Sequence, residues 1–129
     1  IKWHTQSTPK IGAHVYKYLK KHSRNADCVK SSYHAAAVVY RNQICSVGLN
    51  RRKTHPFMAK YQQNKRKIYL HAEVDAIIKF INMYGYELLP NCSLYVLRTT
   101  KSGMVAGSKP CDGCMSMIEF YNIKNVYWT

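Results

Sequence analysis

Apolar positions recur along this chain with two different periods, and their alternation sets out the elements. Ile11, Val15, Tyr18, Leu19 and His22 fall at helical spacing behind Ser7, Thr8 and Pro9, with Lys10, Lys17, Lys20 and Lys21 mostly on the other side. This predicts a first helix capped by Thr8 and opened by Pro9. After a polar stretch over 23–32, HAAAVVYRN (34–42) and QICSVGLN (43–50) read as two strands of a hairpin turning at Asn42 and Gln43. The alanines that open the first strand leave room for something to pack closely. Residues 51–67 are basic and aperiodic, broken by Thr54, His55 and Pro56, and predict a long loop of the kind that is usually functional or mobile.

A second helix follows over 72–84. Val74, Ile77, Ile78 and Ile81 form its apolar stripe, Asp75, Lys79 and Asn82 its polar one, and Gly85 ends it. CSLYVLRTT (92–100) predicts a largely buried strand, 101–109 a loop, 111–122 a helix with Cys114, Met115, Ile118 and Tyr121 at helical spacing, and NVYWT (125–129) a closing strand. The order helix, two strands, helix, strand, helix, strand belongs to the α/β class. The sheet carries packed helices, and its later strands run parallel because a helix separates them. At 129 residues the chain makes one domain, 1–129, able to bury roughly two thirds of its unfolded surface.

Charge changes this picture by adding a partner. Lys and Arg total 20 against 6 Asp and Glu, a net charge of +14. No acidic residue falls between Asp27 and Glu73, where Lys30, Arg41, Arg51, Arg52, Lys53, Lys60, Lys65, Arg66 and Lys67 cluster. Such a field favours a phosphate-bearing partner, nucleotide or nucleic acid. Five cysteines, Cys28, Cys45, Cys92, Cys111 and Cys114, are odd in number with one close pair, which points to a reducing compartment rather than a disulfide framework. No secretory leader or membrane-spanning run is expected.

The chemistry concentrates in YLHAEVDAII (69–78) and PCDGC (110–114). On an ideal helix, residues two apart point about 200° from one another, so His71 and Glu73 converge only if His71 stands at or before the cap. Glu73 then occupies the first turn, at the positive end of the helix dipole. Pro110 and the Cys111, Cys114 pair mark a second helix start, where thiolates are stabilised and suit metal ligation. Two sulfurs and one imidazole are three ligands. That is the number a catalytic zinc takes from protein, whereas a structural zinc takes a fourth, for which His55 and Cys92 are the distant candidates.

HAEVDAI and KPCDGC resemble the two signatures of the cytidine and deoxycytidylate deaminase superfamily. The resemblance covers about His34 to Thr129, and GLNRRKTHP and IKNVYWT are similar to short, often phage-type, deoxycytidylate deaminases. It implies a three-layer fold, a mixed sheet with helices on both faces. It implies Zn2+ held by His71, Cys111 and Cys114 with water in the fourth position, the water's pKa lowered so that hydroxide attacks the amine-bearing ring carbon. Glu73 is then the catalytic proton carrier. Asn50 contacts sugar and base, and the Ala72 backbone N–H faces a substrate carbonyl. Arg51, Arg52 and Lys53 directly follow Asn50, which places cations near a 5′ phosphate and favours dCMP. Against this stand a nucleic-acid-editing deaminase that uses the basic 51–67 segment, with Tyr61 and Tyr69 stacking bases, and a non-catalytic basic zinc module.

The family's sheets usually have five strands, and four are predicted here, so the final strand and helix are expected to be lacking or replaced by a partner. The resemblance also implies a homo-oligomer, because sites in this family are often completed by a neighbouring subunit. Asp75, where many relatives have Asn or an apolar residue, is expected to face solvent with little consequence. A cytoplasmic location is expected, that of an infected host if the source is viral.

Overall fold

The computed structural model describes residues 1–5, 12–29, 31–52 and 70–129. Its elements are β1 (Lys2–Thr5), α1 (Ala13–His22), β2 (Ser32–Tyr40), β3 (Gln43–Leu49), α2 (Ala72–Tyr84), β4 (Ser93–Thr100), β5 (Val105–Ala106), α3 (Asp112–Phe120) and β6 (Asn125–Trp128). Strand order in the single six-stranded sheet is β1-β6-β4-β2-β3, with β5 pairing β4 off this path. β4, β6 and β1 run parallel, while β2 is antiparallel to both neighbours. The mixed α/β architecture and its parallel later strands agree with the sequence.

Four boundaries differ, each for a local reason. The hairpin turns at Arg41 and Asn42, one residue before the expected pair. Both adopt positive φ, 49° and 64°, so the loop has the left-handed pair that matches strand twist, and Tyr40 pairs Gln43. α1 begins at Ala13 behind Gly12, whose φ is 68°; the expected start at Thr8 and Pro9 lies outside the described residues, as does most of the expected 51–67 loop. β5 is a short return antiparallel to β4 inside the stretch expected as loop. β1 was not anticipated. It lies beside β6 with Trp3 opposite Val126, so the edge beyond the fourth expected strand is covered by the chain's own N-terminal residues.

Strand parity sorts the core into two layers. Ala35, Ala37, Tyr95 and Leu97 pack with Val15 and Leu19 of α1. Ala36, Val38, Leu94 and Val96 pack on the other face with Ala72, Ala76, Ile77 and Phe80 of α2 and Met117 and Ile118 of α3. Helices thus cover both faces. Along α2 the buried face runs through Ala72, Val74, Ala76, Ile77 and Phe80, rotated from the expected stripe, because the alanines let the helix settle against β3.

Gly48 sets that approach. A β-carbon there would lie 2.1 Å from the Ala72 carbonyl oxygen and 2.2 Å from the Ala76 nitrogen, both rigid helical backbone. Gly48→Ala must push α2 off the sheet and is expected to cost on the order of 3 kcal/mol, read as a fall in the urea midpoint. Unchanged stability would contradict the close contact. Asp75 corrects a second expectation. It is buried, with 8% of its surface exposed, and accepts the Leu49 backbone N–H at 3.0 Å and Lys79 Nζ at 2.9 Å. The Asp75 carboxylate thereby ties α2 to the end of β3.

Candidate metal centre

Two helix starts meet above one end of the sheet. His71 caps α2 in extended conformation (φ −74°, ψ 151°), and Ala72 is the first helical residue, the boundary that the spacing of His71 and Glu73 requires. Cys111 caps α3 in the same way (φ −72°, ψ 169°); Pro110 therefore precedes the cap and Cys114 lies in the first turn. His71 Nδ1 stands 3.3 Å from Cys114 Sγ and 3.4 Å from Cys111 Sγ, and the three donor atoms lie within 4.8 Å of one another.

These distances can be tested against zinc. Tetrahedral bonds of about 2.3 Å to sulfur and 2.0 Å to nitrogen imply N to S edges of roughly 3.5 Å, close to what His71 makes with both cysteines. Soft thiolates with an imidazole are the donor set that Zn2+ prefers. The residues fit Zn2+. Cys92, one distant candidate for a fourth ligand, does not join them: it is buried and donates to the Leu88 carbonyl at 3.2 Å. His55, the other, lies outside the described residues.

Electrostatics ties the group together. The Cys114 thiol, and after it the His71 ring, hold Cys111 down at about 4 against the effect of burial. Cys114 is pushed well up, by its bond to Cys111, by burial and by the nearby charge of Glu73. Burial pulls His71 down, but its bond to Cys111 and the charges of Glu73 and Cys111 outweigh that, and its pKa is raised. The two thiols therefore share one proton, in the place a dication would take. Glu73 is buried, with 5% exposed. Burial raises its pKa, and the His71 charge offsets that only in part.

Thiol chemistry checks this arrangement. In metal-free protein at pH 6, Cys111 is a thiolate and should be alkylated first by iodoacetamide, whereas Cys92, pushed up to about 11 by burial, should stay intact. Added zinc should protect Cys111. Peptide mass mapping reads both, and modification of Cys92 ahead of Cys111 would contradict the assignment.

Asn50 is brought to the same place by a backbone clasp. The Arg51 N–H donates to the Leu70 carbonyl at 2.8 Å and the Leu70 N–H returns a bond to Arg51 at 3.0 Å, so the residues just before Arg51 and just after Leu70 are neighbours. Asn50 is buried, and its Nδ2 has no partner among the described residues. The Arg51 guanidinium is turned elsewhere: Nη1 bonds the Asn25 carbonyl at 2.7 Å and lies 3.8 Å from Asp27. Arg52 likewise holds the Cys28 carbonyl through Nε and Nη2. Lys53, Tyr61 and Tyr69 lie outside the described residues.

Two side chains on this face went unnoticed in the sequence, His34 and Arg98. Each has a buried nitrogen without a partner among the described residues, Nδ1 and Nε respectively. His34 is lowered to about 4 by burial, and then by the charges of Arg98 and His71. The only signal was a polar residue at the head of an alanine run.

A His, Cys, Cys set at two adjoining helix starts, with a buried carboxylate beside it, defines a zinc-binding α/β domain. Residues 9–129 match the cytidine and deoxycytidylate deaminase zinc-binding region, and the chain belongs to that family. Solved structures agree in fold. The dCMP deaminase of cyanophage S-TIM5 is 24% identical with a TM-score of 0.64, over 94% of this chain and 83% of that one. A tRNA:A34 deaminase of wobble-position A-to-I editing is 22% identical at 0.57, over 90% and 74%. The guanine deaminase of Bacillus subtilis is 22% identical at 0.53, over 87% and 57%. No curated protein sequence matches significantly.

Proposed function

We propose that this protein is a zinc-dependent hydrolytic deaminase of a cytosine mononucleotide, converting dCMP to dUMP with release of ammonia. The observation that carries the proposal is Glu73: a buried carboxylate at the second helical position after the cap, beside the ligand set and outside it. A structural zinc site has no use for such a group, and burying it is costly. Zn2+ held by His71, Cys111 and Cys114 supplies a Lewis acid that makes water a nucleophile near neutral pH.

The chain's own residues supply the rest. Glu73, whose pKa burial raises, would take one proton from water and pass it to the pyrimidine ring nitrogen, then take the second from the added oxygen and pass it to the amine as the C–N bond breaks and the carbonyl forms. Ala72, in the first turn, has a backbone N–H that the helix itself leaves unpaired, and it is offered to the base carbonyl. Asn50 would hold sugar and base, whereas Arg51, expected at the 5′ phosphate, is drawn toward Asn25 and Asp27, and Lys53 lies outside the described residues.

Support for dCMP comes from the S-TIM5 enzyme, a structure of which holds dCMP and dUMP. Support for a polymer substrate comes from the +14 charge and the tRNA deaminase likeness, with the 51–67 segment as the contact. A homo-oligomer is proposed as the working form. The cytoplasm is the proposed location, since the ligand thiols must stay reduced; among the described residues no helix is long and apolar enough to cross a membrane.

Zinc-loaded protein incubated with cytidine, CMP, dCMP, dCTP, adenosine and guanosine nucleotides, guanine, tRNA and short single strands should convert dCMP fastest, followed by mass spectrometry as amine replaced by carbonyl. Turnover of polymers alone would overturn the mononucleotide reading.

A further inference from the structure

The sheet carries a row of polar side chains one rung beyond the core contact that seats α2. Val96, Ala36 and Gly48 pair across β4, β2 and β3, and Gly48 lies directly beneath Ala72. One rung further, two residues on in β4 and past β3 and two back in antiparallel β2, about 6.6 Å, Arg98 pairs His34 and the Asn50 N–H donates to the His34 carbonyl at 3.2 Å. Parity puts all three side chains on the face that Ala36 and Val96 present to α2 and α3. The row therefore underlies the gap where His71 and Cys111 cap their helices.

All three residues have a buried nitrogen with no partner among the described residues: Arg98 Nε, His34 Nδ1 and Asn50 Nδ2. Three neighbouring buried nitrogens left unmade are uncommon and costly, and in a native fold they point to a ligand. The Arg98 side chain bears a permanent positive charge. Arg51 and Arg52, the described cations that follow Asn50, are committed to Asn25 and Asp27 and to Cys28 respectively, and Lys79 to Asp75.

We propose that Arg98, His34 and Asn50 form the oxygen-binding floor of the substrate site, with Arg98 the cation that receives the 5′ phosphate of a nucleoside monophosphate. This rests on the nucleotide-deaminase reading above. Arg98 offers a planar set of donors suited to a phosphate dianion. His34, held neutral beside it, adds a bond without competing for the anion, and Asn50 takes the sugar.

Equilibrium binding to zinc-loaded Glu73→Gln protein, which binds without turnover, separates phosphate recognition from chemistry. Calorimetry with dCMP and with deoxycytidine should give a Kd at least about tenfold lower for dCMP. Adding Arg98→Gln should erase that preference while leaving the deoxycytidine Kd unchanged, and Arg98→Lys, which keeps the charge but not the planar donors, should restore part of it. A preference that survives Arg98→Gln, or no preference in the starting protein, overturns the inference. If neither pyrimidine binds, the dCMP reading fails by itself. AMP against adenosine and GMP against guanosine then carry the same test, and the inference falls if neither pair shows a preference that depends on Arg98.

Discussion

Glu73→Gln abolishes deamination, lowering kcat by roughly a thousandfold or more, within the range a positioned general acid–base contributes, while zinc content stays at the level of the parent. Gln is nearly isosteric and keeps a polar group in the first turn of α2, so the loss reports the proton carrier and not the fold. The same substitution has a second signature. Burial raises the folded pKa of Glu73, so the folded state of the metal-free protein binds its proton more tightly than the unfolded chain does. Its contribution to stability is complete below the unfolded carboxyl pKa and is lost as pH rises through the folded value. Metal-free Glu73→Gln should therefore melt higher than the parent at pH 7.5 and no higher at pH 4. Parent-like turnover in the variant would leave Glu73 without a function and favour a non-catalytic zinc module.

Loss of a ligand has the second large effect. Cys114→Ser, His71→Ala or Cys111→Ser should each reduce bound zinc to background and remove activity. In the parent, saturating zinc should raise the melting temperature, since a ligand at a thousand times its Kd stabilises by about 4 kcal/mol; a chelator should reverse the rise. In Cys114→Ser neither addition should move the transition. Metal analysis and calorimetric melting read these outcomes together. Retention of tight zinc by the His71 variant would show that another residue completes the site.

The candidate site was more legible than the edges of the fold. His71, Glu73, Cys111 and Cys114 could be read because residue type and spacing encode helix starts: only a cap at His71 lets Glu73 share its space, and the backbone shows that cap. β2 and β4 could be read as buried strands from their continuous apolar runs, while helices on both faces came from the family resemblance. What stayed hidden depended on partners distant in sequence. β1 is four residues whose pairing with β6 spans almost the whole chain, and β5 is two residues held by β4; neither is long enough to show a period. Asp75 sat on a polar stripe, and only the packing of α2 against β3 shows that its carboxylate serves the Leu49 N–H. Arg98 and His34 were ordinary strand residues until register placed them side by side under the helix starts.

An open zinc site with two cysteines, one histidine and a place for water has a distinct X-ray absorption signature in the zinc-loaded protein. The spectrum should show two sulfurs at about 2.3 Å and two light atoms at about 2.0 Å, with the scattering of a single imidazole. A third sulfur or a second imidazole would show a site closed by protein and would contradict the open one.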